Sequence, residues 1–187
     1  MLFPSSIKGE KSPALRCERL PDIEPVSPAL EHPDICFGRD LTARLEAYRR
    51  ARLRIVFTNG CFDILHPGHV DLLDRARRLG DVLVLGLNTD ASVRSLGKGE
   101  DRPVNPLAVR AFMAAHLRSV DCVTCFDEPT PAELIRLVHP DVLVKGGDWT
   151  PDRIVGADYV LSYGGRVFSL PMVEGYSTTS FISRLRK

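Results

Sequence analysis

The sequence predicts an α/β fold, a doubly wound parallel sheet of about five strands. Three observations predict it. Short apolar runs alternate with segments whose apolar residues recur at helical spacing. One run, Asp81 to Leu87 (DVLVLGL), is almost continuously apolar, as in a strand covered on both faces. The unusual polar residues collect just after the runs, at the end of an open parallel sheet where ligands bind.

The elements follow in chain order. Residues 1–40 hold six of the 14 prolines with no sustained period, so they read as a poorly ordered or extended N-terminal arm. Residues 41–187 read as the folded domain. Leu41, Leu45 and Tyr48 share one face of a helix ending near Arg50. Leu53 to Thr58 is a buried strand that enters a loop at Asn59-Gly60. Val70, Leu72, Leu73, Ala76 and Leu79 line the apolar face of a helix that Gly80 stops, and Asp81 to Leu87 follows as a strand. Asn105 as cap and Pro106 in the first turn open a helix to about Leu117. Val120 to Phe126 is a third strand. Thr130-Pro131-Ala132-Glu133 reads as a capping box for a helix to Val138. Val142–Val144 and Arg166–Leu170 are two more strands, and a helix capped by Ser177 closes the chain.

Composition excludes several classes. Hydrophobic residues make up 44% and charged residues 26% of 187, which is ordinary for a globular domain. The formal charge of +1 argues against holding nucleic acid by bulk charge. No stretch reaches the roughly 18 apolar residues of a membrane span, and none resembles the apolar core of a signal peptide. The expected location is cytoplasmic, with no membrane partner. Five scattered cysteines do not make a disulfide framework. Cys122 and Cys125, a CxxC pair without a second, lie inside a strand, where they would face opposite sides.

Four post-strand segments carry the chemistry: 58–69, 88–105, 145–152 and 171–179. In the first, TNGCFDILHPGH, two histidines three apart stand at the mouth of a helix beside Gly68. Helix N-termini favour phosphate through free N–H groups and dipole. Imidazoles add donors and, if protonated, charge. Gly68 would let a ligand approach the backbone. No Walker-type GxxxxGK[ST] and no GxGxxG occurs.

These residues carry a resemblance. His66-Pro67-Gly68-His69 matches the HxGH motif of a nucleotidyltransferase superfamily with a Rossmann-like fold. Asn88-Thr89-Asp90, Arg94, Lys98, Arg102 to Pro106, Leu143 to Asp148 and Glu174 to Thr179 resemble one branch of it, the D-glycero-β-D-manno-heptose 1-phosphate adenylyltransferases. The resemblance spans about residues 50–186. It implies that ATP, with Mg2+, and a sugar 1-phosphate give an ADP-sugar and pyrophosphate. The attacking phosphate oxygen is already ionised, so alignment and charge neutralisation replace a general base.

The resemblance further implies roles. His66, His69 and Lys98 would be catalytic. Thr58, Asn59, Gly60, Phe62, Gly68, His69, Lys145, Gly147, Ser177, Thr178 and Thr179 would bind the nucleotide. Asp63, Asn88, Arg94, Arg102 and Asp148 would bind the acceptor, with Asp63 also able to orient its loop. No protein metal site is implied. Arg94, Lys98 and Arg102 are expected in a loop that closes over substrate. Members of the branch often carry a sugar kinase ahead of the transferase. The roughly 50 residues before the first strand here imply a separate kinase upstream. The fold and the arm would permit a homodimer. A cytidylyltransferase for glycerol 3-phosphate is the rival enzyme, and a non-catalytic nucleotide-binding protein the rival class.

Overall fold

A computed structural model describes residues 31–97, Gly99 and 101–185. Residues 1–30 of the expected arm and Lys98, expected to be catalytic, lie outside the described residues. The elements run α1 (Gly38–Arg50), β1 (Ile55–Gly60), α2 (Pro67–Arg77), β2 (Val82–Asn88), α3 (Asp90–Ser95), α4 (Leu107–Ala115), β3 (Cys122–Phe126), α5 (Ala132–Val138), β4 (Val142–Gly146), α6 (Ala157–Ser162), β5 (Arg166–Leu170) and α7 (Thr178–Leu185), with a 3-10 turn at Pro151–Arg153.

All five strands are parallel, in the order β3-β2-β1-β4-β5. Their near-continuous apolar character is explained by two cores, one on each face. Phe57, Val82, Val84, Cys122 and Leu143 face α1, α5 and α6. Val56, Leu83, Leu85, Val123 and Val144 face α2 and α4. Cys122 and Cys125 join opposite cores, as alternation along a strand requires.

Register is set at the N-terminal edge by three aspartates, each one residue ahead of a strand. Asp81 Oδ2 accepts from Arg54 N, Asp121 Oδ2 from Leu83 N and Asp141 Oδ2 from Ile55 N, each at 2.7 Å. The edge is thereby closed with charge-assisted bonds. The opposite edge, where the order turns back between β1 and β4, is left for ligands.

Several local expectations are corrected. The folded unit begins before Leu41: Ile35 bridges to Val123, and α1 starts at Gly38. Val70 is 43% exposed, because α2 starts at Pro67 and its inward stripe is Gly68, Leu72, Leu73 and Ala76. Asn105 does not cap α4; its side-chain Nδ2 donates to the Asp63 carbonyl instead, at 2.6 Å. No side chain caps α5, whose Glu133 pairs with Arg136 rather than closing a box with Thr130. Asn59-Gly60 and Lys145-Gly146 extend their strands, paired with Gly86-Leu87 and Ser169-Leu170. Segment 88–105 contains α3, capped by Thr89 Oγ1 accepting from Ser92 N at 3.1 Å.

Candidate active site

Local sequence explains the geometry after β1. Phe62, His69 and His66 form an aromatic stack between two glycines. Phe62 turns back at φ 46°, and its ring lies 4.8 Å from that of His69. The His69 ring stacks on His66 at 3.8 Å and 18°. A Cβ on Gly60 would meet the Phe62 ring at 2.9 Å, and one on Gly68 would meet the His66 ring at 3.1 Å. The space at Gly68 is therefore filled by His66, where the sequence suggested ligand approach. Phe62, expected among the nucleotide contacts, is buried behind His69 and supports it.

The stack stands at the start of α2, with His66 in the cap position and Pro67 at the first turn. The segment leading to α7 reaches the same spot, Tyr176 Cβ lying 3.7 Å from the Cβ position on Gly68. Three buried polar atoms have no hydrogen-bond partner among the described residues: Thr58 Oγ1 on β1, and His66 Nδ1 and His69 Nδ1 at the start of α2. Buried polar atoms are rarely left so, and the two at the α2 N-terminus are of the kind that a polar ligand satisfies. Burial pushes the His69 pKa down to about 4, with repulsion from His66 adding to it, and burial lowers His66 too. Of the two contributions open to these rings, the donor remains and the charge does not: at neutral pH each ring offers a neutral N–H donor.

Beyond the stack, the C-terminal edge opens into a cavity of about 310 Å3. Asn59, Gly60, Asn88, Lys145 and Trp149 line it with Arg153. Gly147 makes room for the indole. Its φ is +116°, and a Cβ there would meet Trp149 Nε1 at 2.8 Å. Trp149 Nε1 donates to Gly146 O at 3.1 Å, and Trp149 N donates to Ser169 Oγ at 2.9 Å. The amide of Asn88 is already engaged, Nδ2 donating to Ser92 Oγ at 2.9 Å.

The expected acceptor ligands divide. Asp63 is 2% exposed and Arg102 7%. Asp63 Oδ2 accepts from Arg102 Nε at 2.6 Å and Val104 N at 2.9 Å, while Oδ1 accepts from Asn105 N at 2.8 Å. Both carboxylate oxygens are engaged in latching 102–105 to the β1–α2 loop. Arg94 lies exposed on α3, and Asp148 is exposed outside the cavity lining. Ser177 is exposed just before α7, its carbonyl accepting from Phe181 N at 3.0 Å. Thr178 and Thr179 form the first turn.

Sequence reading left Trp149 open between stacking on a base and covering its loop, and it missed Arg110. Arg110, at an apolar position pattern (LAVRAFMAA), is 1% exposed, and a buried charge in an apolar helix face is itself the overlooked signal.

A cytidylyltransferase-like family model matches residues 57–183. Among curated relatives, the bifunctional protein HldE of Syntrophotalea carbinolica is 57% identical over 141 residues, 75% of this chain and 29% of that one. The bifunctional protein HldE of Marinomonas sp. is 53% identical over 146 residues, 78% of this chain and 30% of its own length. The chain thus spans under a third of these relatives. A lipopolysaccharide core biosynthesis protein from Thermoplasma volcanium superposes with a TM-score of 0.54 at 26% identity, over 67% of this chain and all but 1% of that one (99% covered). A pantoate-β-alanine ligase from Francisella tularensis, with a TM-score of 0.50 at 13% identity over 78% of this chain and 77% of that one, shares the fold alone.

Proposed function

This chain belongs to the cytidylyltransferase-like family, and from that premise we propose that it is an adenylyltransferase joining AMP from ATP to D-glycero-β-D-manno-heptose 1-phosphate. What carries the transferase reading is the stacked pair His66 and His69 at the start of α2, each with an unpartnered buried Nδ1, together with the unpartnered Thr58 Oγ1 on β1. The heptose acceptor is supported by the resemblance of four ordered segments and by relatives named bifunctional protein HldE.

In the reaction, an ionised oxygen of the sugar phosphate attacks the α-phosphorus in line. The new P–O bond forms as the bond to the β-phosphate breaks, and pyrophosphate leaves with the electron pair. No proton is abstracted, so the chain's work is alignment and stabilisation of charge. The Thr58 hydroxyl and the two imidazole N–H groups donate to phosphate oxygens, and the α2 N-terminus adds its dipole. Lys145 and the cavity beside it receive the nucleotide. Among the described residues no group of three or more His, Cys, Asp and Glu is placed to hold a metal ion. Mg2+ in this proposal arrives on ATP. No helix among the described residues is long and apolar enough to cross a membrane. In this proposal a separate sugar kinase upstream installs the acceptor's anomeric phosphate.

ATP labelled in turn at its α- and γ-phosphates tests the reaction class. The expected result is α-label in the sugar nucleotide and γ-label in pyrophosphate. γ-Label on the sugar would overturn adenylyl transfer.

A further inference from the structure

We propose that Arg110 is a positioning residue for this reaction, a buried guanidinium that holds the exits of β1 and β2 and the segment before α4 in one arrangement. The inference rests on the transferase reading above for its kinetic part only.

Arg110 makes four bonds, and none of its acceptors belongs to α4 itself. Nη1 donates to Cys61 O at 2.6 Å, just past β1. Nη2 donates to Asn88 O at 2.8 Å, the last residue of β2, and to Asp90 Oδ1 at 2.7 Å, the first of α3. Nε donates to Asn105 O at 3.0 Å. These carbonyls lie where the sheet ladder gives out and its backbone bonds no longer fix the chain. Cys61 and Asn88 both line the cavity.

The network continues from each acceptor. Asp90 Oδ2 accepts from Leu107 N at 3.2 Å, so one carboxylate ties α3 to the start of α4. Asn105 donates to Asp63 through both its N–H and its side-chain amide, which joins Arg110 to the Asp63–Arg102 pair. Two buried arginines thus organise the polar edge from opposite ends of segment 102–110. Only a planar, forked cation reaches acceptors in three directions; a lysine ammonium is a single point with three donors. Stability alone does not call for this device, because buried ion pairs are often matched by apolar side chains of similar volume. Geometry at the strand exits does.

Arg110→Lys and Arg110→Met, in the full chain, test the proposal. Pyrophosphate release is measured with MgATP and heptose 1-phosphate well below each variant's melting midpoint, alongside amide hydrogen exchange. For Arg110→Lys, kcat per folded molecule is expected to fall about 10- to 100-fold, because misplacement at the reacting groups costs rate even when binding survives. Arg110→Met is expected to fall further, with lysine a partial rescue. Exchange is expected to rise in 60–64, 88–92 and 102–107 and to stay unchanged in 166–170. A kcat within about twofold of wild type in the folded Lys variant, or exchange rising evenly along the chain, would overturn it. Should the Met variant fail to fold, the Lys variant decides. Should wild type release no pyrophosphate, the transferase reading falls while the exchange pattern still decides the role of Arg110.

Discussion

Asp63→Asn separates two roles that the sequence leaves open. In the folded chain the carboxylate faces three donors, Arg102 Nε, Val104 N and Asn105 N, with almost no access to water. Asparagine keeps one oxygen and turns an NH2 group against one or two of those donors. It also removes the negative charge, leaving the Arg102 guanidinium buried without its partner. Breaking one side of a buried pair costs about 3–5 kcal/mol. For a chain of this size that corresponds to a melting temperature lower by roughly 6–20 °C, at about 2–4 °C per kcal/mol. Thermal and urea unfolding followed by circular dichroism read the shift. A residue whose task was to bind sugar hydroxyls would behave otherwise: stability would stay put and the acceptor KM would rise. A shift below about 2 °C together with a raised acceptor KM would refute the latch.

Other perturbations test other parts of the site. His69→Ala should lower kcat by roughly 10²–10³-fold, the range for loss of one preorganised donor, with the fold intact by circular dichroism; near-normal turnover would remove His69 from the reaction. The His69 pKa is about 4 in the folded chain against about 6.5 when unfolded. The unfolded chain therefore binds the proton first, and the stabilisation from a neutral His69 is complete above about pH 6.5 and lost as pH falls toward about 4. His69→Gln should flatten that part of the urea-midpoint profile; parallel profiles would contradict it. Gly147→Ala puts a Cβ 2.8 Å from Trp149 Nε1 at a φ of +116°. It should cost about 1–3 kcal/mol and shift the fluorescence of Trp149, the sole tryptophan; an unchanged spectrum and melting point would argue against that packing.

The sheet was legible because β1 to β4 are largely buried, and such runs need no tertiary knowledge to read, while β5 is an edge strand with a shorter apolar run. Arg166–Leu170 matches its expected span, and Asp81–Leu87 is displaced by one residue. What failed were inferences that assumed local partners for polar side chains. Asn105 beside Pro106 has the makings of a helix cap, yet Asp63, 42 residues away, is its partner. Thr130 and Glu133 have capping-box spacing, but Glu133 reaches Arg136 instead. Val70 was placed inward by counting from the wrong helix start; Pro67 at the first position was the better marker. The HxGH segment was legible as the mouth of a helix carrying two histidines, while the stack that buries them depends on Phe62 turning back at a positive φ. Arg110 left one mark, a charge on an apolar helix face, but three of its four acceptors are backbone carbonyls, which leave none.

The most direct test of the account is pyrophosphate release with Mg2+, crossing ATP, GTP and CTP against D-glycero-β-D-manno-heptose 1-phosphate and glycerol 3-phosphate. The account predicts release with ATP and the heptose phosphate alone. Release with CTP and glycerol 3-phosphate instead would contradict the assigned substrates, and silence with every pair would contradict the transferase itself.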